Sequence, residues 1–328
     1  MQTSQIYLMK NSSVTMNKKF TPAQFEGLSS KNLDPTKPEH NIVEMSEISV
    51  NNSSFEKCFP DGSPFFTWIE LSITDLCNRK CVFCPRVDPN VYPNNDEEIS
   101  LKLYEKIMVE LVSYGWNGPI AYAGFGEPLL HNKLLDLVSM TKMYLPNSYL
   151  EIVSNDDRLT AKICKDLYES GLDTMRVSLY DGSHQIPTFE QMRSDIGVDE
   201  KQFILRYRYN KDDNYGLILS NRAGTLNYSD LKKIELPLKR ECYFPFYKLM
   251  IDYNGRVILC SHDWWKKLSG GDLNKQSIFE VWTGKVMKSV RNQLQSKNRN
   301  FAPCIKCDVD GKLNGESEFR RFVKVKSC

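Results

Sequence analysis

Cys77, Cys81 and Cys84 fall within eight residues of one another, directly after Phe66–Thr74 (FTWIELSIT), where apolar residues alternate as on a strand. Thiols this close in sequence must share one loop at a strand end, and whatever they bind constrains the fold around that loop. The chain holds ten cysteines in 328 residues. Lys10, Lys18 and Lys19 stand near its start without an apolar block, so no secretory leader is read there, and no stretch approaches the length of a membrane span. The expectation is a cytoplasmic protein, where disulfide frameworks are rare and clustered thiols serve metals or catalysis. Net charge is +2 and the basic residues form no run, which argues against nucleic acid or a membrane surface as partner.

Three thiolates can hold three corners of a 4Fe–4S cube and leave one iron open to an outside ligand. A zinc site is the competing reading, but structural zinc takes four ligands, often as paired CX2C units, and the nearest histidine, His131, is distant along the chain. A redox CXXC pair would leave the third cysteine without a job.

Residues 1–57 are rich in Asn, Ser, Lys and Thr and read as a polar, mobile N-terminal extension. From Phe66 onward strands and helices alternate. After the first strand come a helix over Ser100–Gly115, strand Pro119–Gly124, helix Asn132–Tyr144, strand Ser148–Ser154, helix Thr160–Ser170 and strands Thr174–Tyr180 and Gln202–Tyr209. This spacing predicts parallel βαβ units, and the expected fold class is α/β, a partial (β/α)6 TIM-like barrel over residues 58–215 with its chemistry at the carboxyl ends of the strands. Residues 211–240 are polar and irregular. Beyond them Phe246–Asp252 and Arg256–Cys260 flank the turn Tyr253-Asn254-Gly255, and a helix over Ser277–Leu294 precedes Cys304-Ile305-Lys306-Cys307. Residues 216–328 are therefore expected to form a linker and a small hairpin-plus-helix metal domain.

The first cysteine loop, with aromatic Phe83 just before Cys84, resembles the CX3CXΦC signature of the radical S-adenosylmethionine (SAM) superfamily. Gly124-Phe125-Gly126-Glu127-Pro128 resembles that family's glycine-rich GGE element, though Phe125 interrupts the strict pattern. Ser154-Asn155 and Ser178, each at a predicted strand end, resemble further SAM-contacting positions. The resemblance implies that Cys77, Cys81 and Cys84 hold a 4Fe–4S cluster and that Phe83 lies near the adenine. Gly124, Gly126 and Glu127 would then take the amino group, and Ser154 and Asn155 the ribose and carboxylate.

Strand alternation adds an independent expectation. Glu70, Ser72 and Thr74 share one face, as do Arg176 and Ser178, and as do Arg206, Arg208 and Asn210. These polar faces are predicted to point into the barrel mouth. Glu70 could pair with an arginine, and Arg206 or Arg208 could take the SAM carboxylate or belong to an internal ion-pair ladder. Arg206 is the candidate for the carboxylate.

Cys242, Cys260, Cys304 and Cys307 supply four thiolates, which alone do not choose between zinc and iron–sulfur. With Gly271-Asp272-Leu273, Ile278 and Trp282 around them, they resemble the SPASM/twitch appendage of radical SAM enzymes, in its short form with one auxiliary 4Fe–4S cluster. The spacing resembles the aminocyclitol dehydrogenases of that group. The resemblance implies reductive cleavage of SAM to a 5′-deoxyadenosyl radical, with flavodoxin or ferredoxin as electron donor and hydrogen abstraction from a substrate. Oxidation of a sugar or cyclitol is expected, with peptide modification, epimerisation and a non-catalytic zinc-stabilised module as alternatives. Cys58, Cys164 and Cys328 are spare thiols, and Cys164 reads as core. His184 and His262 are read as ordinary side chains.

Overall fold

In the computed structural model, residues 57–212, 214–217, 219–227, 234–310 and 313–325 are described. The expected N-terminal extension and Cys328 lie almost wholly outside them. Strand β1 (Trp68–Leu71) is buried along its whole length, as a strand covered on both faces must be. It is followed by helix α1 (Leu101–Ser113), β2 (Ile120–Tyr122), α2 (Leu134–Tyr144), β3 (Leu150–Ser154), α3 (Ala161–Glu169), β4 (Thr174–Leu179), α4 (Ile186–Ile196) and β5 (Phe203–Tyr207). The five strands pair in parallel, in chain order. Ser100 and Thr160 cap α1 and α3 by accepting from the N–H groups of Leu103 and Ile163. Leu103, Ile107 and Leu111 of α1 recur at helical spacing and, with Leu137 and Val138 of α2 and Leu167 of α3, build the core over the sheet.

The chain then returns. A short helical turn, α5 (Phe244–Tyr247), leads into β6 (Lys248–Ile251), which lies on the far side of β1 and pairs with it in parallel, Trp68 opposite Lys248 and Leu71 opposite Ile251. Strands β7 (Arg256–Ile258) and β8 (Ser269–Asp272) continue antiparallel, giving one eight-stranded sheet in the order β5-β4-β3-β2-β1-β6-β7-β8. The fold class is as expected: an α/β protein with a parallel sheet core and a C-terminal metal domain. The hairpin at Tyr253-Asn254-Gly255 is also present, Met250 facing Ile258. What differs is its attachment. The sixth parallel strand comes from the C-terminal segment, so the metal domain grows out of the barrel sheet and is not a separate appendage.

Three further differences have local causes. Helix α4 stands outside the expected series: Ile186, Phe189, Met192 and Ile196 do line one side against the core, but only Phe189 is fully buried and the remaining positions are mostly polar. Strand β8 (Ser-Gly-Gly-Asp) has no β-forming side chains, and a Cβ on Gly271 would stand 2.6 Å from Val281 Cγ2, so close helix packing dictates its composition. The helix expected over 277–294 is two helices, α6 (Ile278–Trp282) and α7 (Lys285–Gln295). They break at Gly284, where a Cβ would approach the Glu280 carbonyl oxygen to 2.6 Å. A last helix, α8 (Glu316–Val325), packs Phe319 and Phe322 on Phe246.

The seam between β1 and β6 carries a buried ion pair. Glu70 is matched by a lysine, not the arginine the sequence suggested: Lys248 Nζ donates to Glu70 Oε2 at 2.6 Å. Removing one partner of a buried pair strands the other charge, at a cost of roughly 3–5 kcal/mol, whereas an apolar pair is tolerated. Glu70→Ala should therefore lower the urea midpoint sharply, and Glu70→Leu combined with Lys248→Met should recover most of the loss. An unchanged midpoint in the single variant would show that the seam does not depend on this pair.

Candidate active site and metal centres

The first cysteine set follows the end of β1, whereas in the second Cys242 lies before β6 and Cys260 after its antiparallel partner β7. After β1 the chain runs over residues 72–76, and the segment after β2 is pressed against it. A Cβ on Gly126 would lie 2.1 Å from the Thr74 carbonyl oxygen, so only glycine fits. Gly124 has φ +102 and would bring a Cβ to 3.1 Å from Ser72 Cβ. Ser72 Oγ accepts from the Phe125 N–H at 3.1 Å, and the Glu127 N–H donates to the Leu76 carbonyl at 2.8 Å. Phe125, the residue that interrupts the glycine pair, is buried against Tyr92, Met250, Ile258 and Trp264.

Glu127 is buried and ties β2 to the end of β3. Its Oε1 accepts from Ser154 Oγ at 2.8 Å and from the Leu129 N–H at 3.0 Å, and its Oε2 accepts from the Asn155 N–H at 2.7 Å. Burial nevertheless raises its pKa to about 7, since these donors offset only part of the desolvation. Asn155 Nδ2 donates to Asn78 Oδ1 at 2.8 Å and reaches Cys77 Sγ at 3.7 Å. Glu127, Ser154 and Asn155 are thus one hydrogen-bonded unit beside the first cysteine. Ser178 is buried on β4 in register with Arg206 of β5. Arg206 is half-buried, whereas Arg208 turns its Nη1 to the carbonyls of Tyr215 and Gly216 and so braces a loop. Arg176 is paired with Glu151 at 2.8 Å.

The cysteine loop itself is gripped by residues that sequence reasoning passed over. Arg79, inside the CX3C turn, is buried and forks onto two acids. It donates to Asp157 at the end of β3 (Nε–Oδ2 2.8 Å) and to Asp181 at the end of β4 (Nη1–Oδ1 2.8 Å and Nη2–Oδ2 2.7 Å). Asn94 accepts from the Cys77 N–H and donates to its carbonyl, both at 2.8 Å, and is itself held by Arg86. The available signal was an arginine among the cysteines facing acids that directly follow two predicted strands.

Cys77, Cys81 and Cys84 sit together without compensating cations strong enough to charge them. Burial pushes Cys77 up to about 12, Cys81 well up and Cys84 up; Cys84 adds to the rise of Cys77, and both add to that of Cys81. Thiols so placed become thiolates only on binding metal. Phe83 packs on Tyr180 and Tyr215, at 6.1 and 5.1 Å between ring centres. Tyr215 belongs to the stretch expected to be an irregular linker. That stretch covers Phe83, then reaches the second centre, where the Asn221 N–H donates to Asp308 at 2.9 Å.

At the second centre Cys242 precedes α5, Cys260 follows β7, and Cys304 and Cys307 sit on one helical turn. Burial pushes all four up, Cys307 to about 12, and Cys260 feels each of the other three. Among the described residues no group of three or more Cys, His, Asp or Glu side chains closes on a single ion. The donor chemistry fits iron–sulfur cubes at both. Cys164 is fully buried in the apolar core and Cys58 is exposed. His262 is half-buried with Nδ1 3.2 Å from Ser220 Oγ, and His184 is exposed.

Comparison with known proteins agrees with this geometry. A family model described as the radical SAM superfamily matches residues 71–201, and one described as an iron–sulfur cluster-binding domain, SPASM, matches residues 242–308. The chain belongs to the radical SAM superfamily and is an enzyme of its SPASM-containing group, with SAM and 4Fe–4S clusters as cofactors. It is similar to the S-adenosyl-L-methionine-dependent 2-deoxy-scyllo-inosamine dehydrogenase of Niallia circulans, 29% identical over 74% of this chain and 93% of that protein. A GTP 3',8-cyclase of Clostridium acetobutylicum is 30% identical over 40% of this chain and 42% of its own. Among solved structures, BtrN in complex with AdoMet and 2-DOIA superimposes with a TM-score of 0.62, 26% identity and coverage of 75% and 94%. No helix among the described residues is long and apolar enough to cross a membrane.

The Glu127 carboxyl gives a pH signature. Its folded pKa, about 7, exceeds its ordinary value of 4.5, so the fold binds more protons between these values and loses stability as pH rises through them. The loss is on the order of 3 kcal/mol. Without SAM, the protein should fall in urea stability relative to Glu127→Gln between pH 4.5 and 7, and the gap should hold constant above. A gap independent of pH would show that Glu127 is ionised throughout.

Proposed function

We propose that this enzyme oxidises a secondary hydroxyl of a small cyclitol or sugar-like alcohol to a carbonyl, in the cytoplasm, with flavodoxin or ferredoxin as electron source. The observation that carries this reading is the second centre. Four mutually neighbouring cysteines can cap every corner of an auxiliary cluster, which suits it to taking an electron and not to ligating substrate. The similarity to the Niallia circulans dehydrogenase across nearly its whole length supports the same substrate class.

When loaded, the first centre supplies a 5′-deoxyadenosyl radical able to take a hydrogen atom from a C–H bond, and the second offers a destination for the remaining electron. The protein's part is to hold and orient. Cys77, Cys81 and Cys84 hold the first cluster, and Cys242, Cys260, Cys304 and Cys307 the second. Phe83, stacked on Tyr180 and tilted against Tyr215, would lie beside the adenine. Gly124 and Gly126 let backbone approach SAM closely. Glu127, backed by Ser154 and Asn155, is poised to accept from the SAM amino group, whose positive charge would pull its pKa back down. Ser178 and Arg206 face each other in register across β4 and β5, suited to the ribose and the carboxylate. Tyr215, packed on Phe83, would help cover the first centre.

Anaerobic protein given SAM, a strong reductant and 2-deoxy-scyllo-inosamine deuterated at its carbinol carbons should yield 5′-deoxyadenosine carrying deuterium, with about one equivalent of ketone. Cys84→Ala should abolish both. Deuterium transfer into a product at the same oxidation state would indicate epimerisation instead. If 5′-deoxyadenosine forms without deuterium across a panel of labelled cyclitols and sugars, the alcohol reading fails.

A further inference from the structure

Arg299 is among the most deeply buried side chains of the protein, about 2% exposed. Its Nε donates to the Arg240 carbonyl at 3.0 Å and its Nη2 to the Glu241 carbonyl at 2.7 Å, the two peptide oxygens immediately before Cys242. Its positive charge is felt by Cys242, Cys304 and Cys307, three of the four thiols of the second centre. Acids on the neighbouring chain are committed elsewhere. Asp310 pairs with Arg240 at 2.7 Å, and Glu241 pairs with Lys297 at 3.4 Å. Among the described residues no carboxylate pairs with Arg299.

A buried cation is costly unless acceptors or an anion compensate it, and two carbonyls take up only part of the Arg299 guanidinium. The comparison with Lys248 is instructive. Lys248 is the cation on the Cys260 side, yet it is already matched by Glu70 at 2.6 Å. Nearby acids make the need for a cation greater: Asp263 adds negative charge beside Cys304, and Asp308 beside Cys307. Four thiolates around an iron–sulfur core are negative overall, and the core gains one more negative charge when it takes up an electron.

We propose that Arg299 is the built-in counter-charge of the auxiliary centre, a positioning residue that fixes the Cys242 loop through two carbonyls and raises the centre's reduction potential. The inference rests on the iron–sulfur reading of the four-cysteine site, but not on the identity of the substrate. A fixed positive charge stabilises the reduced, more negative state over the oxidised one, and does so most strongly where water is excluded. The centre is thereby tuned towards accepting an electron.

The test uses the full chain carrying Cys77→Ala, Cys81→Ala and Cys84→Ala, so that iron–sulfur signals come from the second centre alone. Neither SAM nor substrate is added. After anaerobic reconstitution and iron analysis, the midpoint potential is measured by mediated titration followed by electron paramagnetic resonance. Arg299→Gln should shift the midpoint to a more negative value, while Arg299→Lys, which keeps the charge, should stay close to the parent. An unshifted Arg299→Gln protein with full iron overturns the proposal, and so does an Arg299→Lys protein shifted as far as the glutamine variant. If the glutamine variant takes up no iron, retention by the lysine variant supports the counter-charge and loss from both overturns it. A parent without iron removes the proposal and its premise together, whereas failure to oxidise cyclitols leaves this measurement unaffected.

Discussion

The active face of this protein depends on one buried guanidinium. Arg79 sits between the first two thiols of the cysteine loop and forks onto Asp157 and Asp181, which follow β3 and β4. Charge-assisted bonds of this kind are shorter and stronger than neutral ones, and a fork also fixes orientation. They pin a loop with little apolar surface of its own across two strand ends. Glu127 makes the complementary tie from β2 to β3. Between them these bonds tie the first cysteine loop to the ends of β3 and β4, and β2 to β3.

The second constraint is that both centres belong to one sheet. β6 pairs with β1, so the strand that launches the first cysteine loop is hydrogen-bonded to the strand from which the hairpin of the second centre grows. Tyr215 packs on Phe83 beside the first centre, and Asn221 is bonded to Asp308, next to Cys307 of the second. Electron exchange between two sites requires a fixed separation, and a continuous sheet provides one that a flexible linker between domains could not.

Much of this was legible in the chain. The cysteine spacings, the order of five strands, the Asn-Gly hairpin and the starts of the helices at Ser100 and Thr160 all follow from local patterns, because each expresses a local constraint. Gly126 was legible only as part of a resembling cofactor element; its close approach to the Thr74 carbonyl was not. What escaped reading was non-local or compositionally silent. β6 looks like an ordinary hairpin strand, and only the Glu70–Lys248 pair, 178 positions apart, marks where it docks. Helix α4 carries its apolar side, Ile186, Phe189, Met192 and Ile196, in a segment otherwise mostly polar, and only Phe189 is fully buried. The roles of Arg206 and Arg208 could not be separated from alternation alone, since both lie on one face and only the loop carbonyls that Arg208 reaches tell them apart. Arg79 and Arg299 each act on backbone or acids far away in sequence.

Phe125 has a consequence for how such proteins can be recombined. A loop that resembles a cofactor cradle contributes an aromatic ring to a cluster otherwise built from Tyr92 and the C-terminal hairpin, meeting Trp264 edge-on at 4.9 Å, with Lys266 4.8 Å above it. A chimera that transplants the C-terminal module onto another barrel would inherit a socket shaped for a ring the new host lacks. The cut that looks natural, in the polar stretch before Cys242, therefore divides the sequence at a place where the interior is undivided. A successful graft would have to carry Phe125 along with the module.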